Sequence, residues 1–508
     1  MIENNRMRVM PHIEELPYAL YRADQVREFD RIAIEEFNIP GAELMERAGS
    51  RAYQFMQDRW PDLSEIVVVC GMGNNGGDGY VVARLASQAG IRVRVLQLGD
   101  ALQLKGDALI MAESWTALGH PIEPFEKLGK TDLIVDAILG TGLERDVRGD
   151  WASAIEQINR HPANVFAIDI PSGLHADTGR IMGCAIEARA SISFIGLKQG
   201  MFTGRGPDCC GEIVFDALEI PARVYAHQRL ACKRIDWQKR SSLIQPRRRT
   251  AHKGDFGHLL VIAGDRGYPG AARLTAEAAA RSGAGRVTLA THPEHAHCLN
   301  LGRPELMVRG VTGVEELEQL MDRADALVLG PGLGRNEWGE MCHRVASGFT
   351  LPLVIDADGL NWLADQPRRR ENWILTPHPG EASRLLGCDI ARVENDRFSA
   401  VEEIQQRFGG VVVLKGAGTL IGDGSAQPTS LCSDGNPGMA TGGSGDVLSG
   451  IIGAMIAQGH PGLEAAELGV CLHAAAGDRA AIKGEIGLLA GDLLPEIRTL
   501  LNGIGDSV

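Results

Sequence analysis

Short runs of β-branched residues, each followed by a glycine-rich or polar loop and then a helical stretch, recur through both halves of this sequence. That alternation limits the fold more than any other feature. Strands separated by helices pair in parallel, in a sheet covered by helices on both faces. In the first half the runs are Glu65 to Cys70, Arg92 to Leu98, Asp132 to Asp136, Val165 to Asp169 and Ser191 to Ile195. In the second they are His258 to Ala263, Arg286 to Ala290, Ala326 to Gly330, Leu353 to Asp356, Trp373 to Leu375 and Val411 to Leu414. Between the sets, Arg223 to Arg249 is rich in Arg, Lys and Gln and shows no sustained strand pattern. At 508 residues the chain exceeds what one hydrophobic core ordinarily serves, so we expect one domain over 1–225 and a second over 226–508. The 63 glycines fit many tight strand-to-helix loops.

A net charge of -14 argues against a general nucleic-acid or membrane-surface binder, whose partners are anionic. An anionic small substrate would have to be held locally, by backbone N–H groups at helix N-termini and a few placed cations. No apolar stretch approaches the roughly 18 to 20 residues that span a bilayer. The ten cysteines form no C-x-x-C pair, and the opening MIENNRMRVMPHIEELPYAL lacks the basic-then-apolar order of a secretory signal. We expect a cytoplasmic protein in which Cys209 and Cys210 are ordinary thiols.

In the first half, GMGNNGGDGY (Gly71 to Tyr80) follows a strand and opens a helix, which places Gly71, Gly73 and Gly76 where a dinucleotide-binding turn belongs. Asn74 and Asn75 in tandem, with Asp78, go beyond backbone cradling, because amide side chains can donate to a phosphate or offer oxygen to a cation. Two further loops, DAILGTGLERDVRG (Asp136 to Gly149) and DIPSGLHADTG (Asp169 to Gly179), follow strands that should be parallel neighbours. Carboxyl ends of parallel strands share one edge, so Asn75, Asp136, Asp169 and Ser172 converge on one crevice, although each Asp alone could cap the next helix.

GNNGGDGY, GTGLERD, DIPSGLHADTG and LMERAG (Leu44 to Gly49) resemble the NAD(P)H-hydrate epimerase family, over residues 20 to 220. The resemblance implies a Rossmann-like three-layer domain and a potassium ion held by Asn75, Asp136 and Ser172, a hard-oxygen set suited to such a cation. It implies substrate contacts from Asn74, Asn75, Gly76, Gly77 and Asp78, and from Gly140, Thr141, Gly142, Leu143, Glu144, Arg145 and Asp146. Asp169 would be the acid/base group at the nicotinamide ring. Lys198 either faces the same crevice or lies on the surface.

The second half carries six such loops: GDRGYPGAARL (Gly264 to Leu274), GPGLG (Gly330 to Gly334), DADGLN (Asp356 to Asn361), LTPHPGE (Leu375 to Glu381), LKGAGT (Leu414 to Thr419) and NPGMATGGSGD (Asn436 to Asp446). In the last, glycines and Ser444 lead into a helix over Val447 to Gln458, an anion site with Asp446 at its mouth. Phosphoryl transfer to an alcohol needs that layout: amides take the growing charge and a carboxylate accepts the hydroxyl proton. A P-loop fails on spacing, since Pro124 stands where the first glycine before Gly129, Lys130 and Thr131 belongs. A serine-hydrolase elbow fails because Asp446 occupies its final position, and no H-E-x-x-H occurs.

Together these loops resemble the ADP- or ATP-dependent NAD(P)H-hydrate dehydratase family of the ribokinase-like α/β fold, over residues 230 to 500. The resemblance implies nucleotide contacts from Lys415, Gly416, Ala417, Gly418, Thr419 and Gly445. It also implies substrate contacts from Ala271, Gly334 and His378, and Asp446 as general base. IAGD (Ile262 to Asp265) departs from relatives, which more often carry a second glycine and a serine. Alone, His378 reads as a structural histidine; with Pro377, Pro379, Gly380 and Glu381 around it, the family reading is preferred. Lys415, ending an apolar strand, should meet a phosphate or a carboxylate.

The two resemblances imply one repair sequence, in which R and S hydrates of NADH or NADPH are interconverted and the S form is dehydrated with ADP, yielding AMP and phosphate. Magnesium is expected with the nucleotide, and a homo-oligomer is expected. Two other readings remain open: a small-molecule kinase with a nucleotide-sensing front domain, and a front half that binds without catalysing.

Overall fold

The computed structural model describes residues 16–503. Their contacts divide the chain into two compact units, which meet between Lys233 and Arg234. In the first unit a wholly parallel sheet runs in the order Ile122–Pro124, Arg92–Gln97, Glu65–Cys70, Leu133–Ala137, Asn164–Ile168, Ala190–Phe194, Glu212–Asp216. Strand order reverses between Glu65–Cys70 and Leu133–Ala137, and a doubly wound sheet opens a crevice at such a point. The run Ile66 to Cys70 is fully buried. Ile66, Val68 and Cys70 pack into one apolar cluster, and Val67 and Val69 into another. Both faces are therefore covered, which yields three layers. Each such Val or Ile contributes roughly 1.5–3 kcal/mol on burial.

The second unit's sheet includes, in order, Thr429–Cys432, Thr419–Gly422, Val411–Leu414, Trp373–Leu375, Leu353–Ile355, Ala326–Leu329, His258–Ile262, Arg286–Thr291 and Met307–Gly310. Pairing is parallel from Val411–Leu414 to Met307–Gly310 and antiparallel between the first three strands. Behind it lies the helix Ser444–Ala457, buried on every side beyond its first turn. A Cβ at Gly450 would come 2.2 Å from the Thr275 carbonyl, and one at Gly453 2.5 Å from Val328 Cγ2. Glycine thus lets this helix lie against Pro269–Arg281 and the sheet, which fixes where Asp446 emerges.

The expected runs all form strands, with ends shifted by at most a residue. Those without a sequence signal, Ile122–Pro124, Glu212–Asp216, Met307–Gly310, Thr419–Gly422 and Thr429–Cys432, are short and lie at or near a sheet edge. The Met307–Gly310 edge is half open to solvent, so it lacks the uniform apolar run of a central strand. Cys232–Ile235 adds a short strand inside the stretch expected to have none. Cys209 and Cys210 are buried free thiols, and no helix among the described residues is long and apolar enough to cross a membrane.

Candidate active sites

The carboxyl edge of the first sheet opens into a cavity of about 930 Å³. Its wall includes Asn74, Asn75 and Asp78 from the loop and helix after Glu65–Cys70, Gly140 to Arg145 after Leu133–Ala137, and Asp169 after Asn164–Ile168. Asp169 sits in the left-handed region at φ 67°, which turns its carboxylate out of the strand direction. The Lys198 ammonium, wholly buried, donates to Asp169 Oδ1, to Ser193 Oγ at 3.0 Å and to the Phe194 carbonyl at 3.2 Å. Lys198 therefore belongs to the crevice and not to the surface.

Two further carboxylates share this field. Burial pushes Asp30 up to about 6, with the charge of Asp169 adding to the effect and Lys198 opposing it. Asp78 is pushed well above the ordinary carboxylate range by burial, then by Asp169 and Asp30. Asp30 was not singled out in the sequence, yet it stands one helical turn after Val26 on Ala23–Glu35, and both line the cavity.

Behind the wall, Asp136 is completely buried. Its Oδ1 accepts from Ser172 Oγ at 2.6 Å and its Oδ2 from the Ser172 N–H at 2.8 Å. Burial nonetheless pushes it up to about 6. Asn75 is buried with neither its side-chain oxygen nor its nitrogen hydrogen-bonded. An unpaired buried amide costs on the order of 1–3 kcal/mol, so a group able to satisfy it fits here. Gly140 stands between the parts: its Cβ would lie 3.5 Å from Asn75 Cβ and 3.6 Å from Asp169 Oδ2.

Three residues of the expected contact set are not at the cavity wall. Gly76 and Gly77 are spent on packing, since a Cβ at Gly76 would come 2.1 Å from the Gly71 carbonyl and one at Gly77 2.3 Å from Met45 Sδ. Asp146 turns to Arg180 at 3.3 Å and Arg148 at 3.5 Å.

In the second unit, Lys415 Nζ donates to Asp356 Oδ1 at 2.7 Å and lies 3.7 Å from Glu381 Oε2. Asp356 Oδ2 also accepts from Ser449 Oγ at 2.7 Å. Burial pulls the Lys415 ammonium down, but Asp356 and Glu381 outweigh it and hold it above its ordinary value. A Cβ at Gly445 would meet Lys415 Nζ at 3.2 Å, so the helix start lies directly on this pair. Asp446, in the first turn of Ser444–Ala457, is pushed up to about 7 by burial, then by Asp356, with Lys415 opposing. His473 supports the turn, with Nε2 2.9 Å from the Ser444 carbonyl.

The turn Lys415 to Thr419 is shaped by Gly416 at φ 136° and Gly418 at φ 64°. Buried Arg397 holds it, donating to the carbonyls of Leu414 at 3.2 Å, Lys415 at 3.4 Å and Gly418 at 3.3 Å. Ala417 is exposed on this turn, and Thr419 Oγ1 closes it on the Gly416 carbonyl at 3.1 Å. Gly334, at φ 74°, donates its N–H to Asp358 Oδ2 at 2.9 Å. The same loop touches Ala271, whose Cβ would lie 3.3 Å from one placed on Gly332. His378 caps the helix Pro379–Leu386, its Nδ1 accepting from the Gly380 N–H at 3.0 Å, while its own N–H donates to Glu381 Oε2 at 2.8 Å. Glu381 therefore joins His378 to Lys415. Asp356, Glu381 and Arg397 went unmarked as site residues because their partners lie on other strands and helices.

Two α/β units, each with enclosed carboxylates and a lysine at the carboxyl edge of a parallel sheet, define a two-site enzyme. Residues 41–200 match the model of the YjeF-related protein N-terminus, and residues 259–499 match that of NAD(P)H-hydrate dehydratase. The chain is similar to the bifunctional NAD(P)H-hydrate repair enzyme of Coxiella burnetii, at 47% identity over 95% of this chain and 99% of that one. It is also similar to that of Escherichia coli, at 44% identity over 96% of this chain and 95% of the relative. A solved ribokinase-like superfamily protein from Enterococcus faecalis aligns with 55% of this chain and 98% of its own, at 29% identity and a TM-score of 0.50. The chain belongs to the family of bifunctional NAD(P)H-hydrate repair enzymes, with a Rossmann-like first unit and a ribokinase-like second one.

Proposed function

We propose that the first unit interconverts the R and S hydrates of NADH and NADPH, and that the second dehydrates the S form with ADP, in the cytoplasm. The observation that carries the two-site reading is Asp446: a carboxylate at a glycine-rich helix start, poised near neutrality by burial. A general base works best when its pKa lies near the working pH.

In the first unit, Asp169 acts as the acid/base group at the ring, with Lys198 holding its carboxylate toward the cavity. Asn74, Asn75, Asp78 and Gly140 to Arg145 bind the substrate. Asn75, Asp136 and Ser172 would hold potassium, a reading supported by the unsatisfied Asn75 amide and the buried Asp136 carboxylate. The ion would supply positive charge that keeps this corner of the crevice ordered.

In the second unit, ADP lies along Lys415 to Thr419 and Gly445, and the hydrate lies by Ala271, Gly334 and His378. Asp446 accepts the proton of the 6-hydroxyl as its oxygen bonds to the β-phosphorus, and the bond from that phosphorus to AMP breaks. Phosphate then departs with the C–O pair, C5 gives up a proton, and the reduced ring returns. Esterification replaces hydroxide by a far better leaving group. Among the described residues no three His, Cys, Asp or Glu side chains are grouped to hold a metal, so magnesium would arrive on the phosphates.

The test is to mix the purified chain with both hydrate epimers, with and without ADP, and follow recovery of reduced-nicotinamide absorbance. Full recovery with release of AMP and phosphate is expected. Recovery of the S form alone would leave the first unit a binding module, and a persistent phosphate ester would favour a kinase.

A further inference from the structure

Beside the dehydratase site lies a second pocket, of about 520 Å³, that none of the expected contact residues lines. Its wall is formed by Arg335, Asn361, Ala364, Asp365 and Arg384. We propose that this pocket is a phosphate subsite for the dinucleotide substrate of the second unit, with Arg384 as its principal anion contact and Arg335 as a second. The proposal rests on the dehydratase reading above and deepens it, by naming which part of the hydrate is held and by what.

Three observations support it. Among the described residues, the Arg384 side chain makes one hydrogen bond, from Nε to Asn361 Oδ1 at 2.6 Å, and no carboxylate lies within ion-pair distance of it. Its terminal nitrogens therefore keep their donors for a ligand, and a guanidinium suits phosphate because it offers paired donors in a fixed fork. Arg335 is already answered by Asp365 and stacks over the Trp362 ring at 4.3 Å, which fixes its plane at the pocket edge.

The pocket is also tied to the substrate side by a continuous set of hydrogen bonds. Asn361 Nδ2 donates to Asp358 Oδ1 at 3.2 Å, Asp358 Oδ2 accepts from the Gly334 N–H at 2.9 Å, and Trp362 Nε1 donates to the Gly334 carbonyl at 3.0 Å. Arg384 is close enough to His378 for its charge to help hold that imidazole below its ordinary value, after burial and Lys415. Gly334 and His378 are two of the three residues assigned to the hydrate, so the pocket adjoins that side of the site.

Finally, the charge needs an owner. A chain of net charge -14 has no general field to draw in a dinucleotide, so its phosphates require local cations. Lys415 to Thr419 and Gly445, assigned to ADP, are absent from this wall, so the pocket is separate from the ADP site. Two phosphate groups of the hydrate could fill it: the pyrophosphate common to NADH and NADPH, or the 2′-phosphate of NADPH alone.

Steady-state dehydration of purified S hydrates of NADH and NADPH, at saturating ADP, separates these cases in the full-length chain. Arg384→Gln should raise KM for the hydrate by roughly tenfold or more, with the effect on KM rather than kcat and with KM for ADP little altered. Arg384→Lys, which keeps the charge and loses the fork, should recover part of the loss. A rise for both hydrates assigns the pocket to the pyrophosphate, and a rise for the NADPH hydrate alone assigns it to the 2′-phosphate. Unchanged KM for both hydrates, or a loss confined to kcat or to KM for ADP, overturns the proposal. If Arg384→Gln does not fold, Arg335→Gln gives the same readout with a smaller expected rise. Turnover by the parent chain tests the dehydratase reading separately, because the subsite is judged only from the ratio of variant to parent.

Discussion

Lys198 and Lys415 occupy similar places in the two units, each enclosed at the carboxyl edge of a parallel sheet and each bonded to a carboxylate. The carboxylate differs in role. Lys198 bonds to Asp169, the residue assigned to the chemistry, whereas Lys415 bonds to Asp356 and leaves Asp446 with burial and like charges around it. The first arrangement holds an acid/base group by a direct ion pair. The second keeps the base apart from the lysine and sets its proton affinity by environment. The same ingredients thus support two chemistries, according to which acid the ammonium meets.

The sharpest way to break this comparison is reciprocal substitution. Asp446→Asn should lower dehydration turnover by about two to four orders of magnitude while hydrate epimerisation continues at the parental rate. Asp169→Asn should do the reverse, leaving dehydration of pure S hydrate intact. Loss of both activities from either substitution in a folded protein would overturn the two-site reading.

A smaller effect follows from Asp446 being pushed up to about 7. Acid protonates it and removes the acceptor, so kcat/KM of dehydration should fall on the acid side, roughly tenfold per pH unit well below that value. Epimerisation should not share that limb. Coincident acid limbs in the two assays would place the controlling group elsewhere. The mildest test exchanges potassium for tetramethylammonium, which should slow epimerisation severalfold through the Asn75, Asp136 and Ser172 corner and leave dehydration alone. Equal epimerisation rates in both salts would remove the cation from the reading.

The loops were legible because glycine and polar residues after apolar runs announce strand ends. The partnerships of Asp169 and Asp356 were not legible. Lys198 is separated from Asp169 by a whole crossover, and Asp356 from Lys415 by two strands, so no local pattern joins them. Asp30 hid on an ordinary amphipathic helix. Asp146, part of a glycine-rich loop that otherwise lines the cavity, turns instead to Arg180, a residue far along the chain.

Periodicity, glycine spacing and strand-end polarity were determined by the sequence itself, because they report backbone requirements met within a few residues: φ angles, helix starts and close approach. Which acid each lysine holds, which amide is left unsatisfied and which arginine is left without a carboxylate were decided only by the tertiary structure. Those outcomes depend on burial and on charges brought together from distant segments, and electrostatic effects in an enclosed site follow distance in space, not separation along the chain.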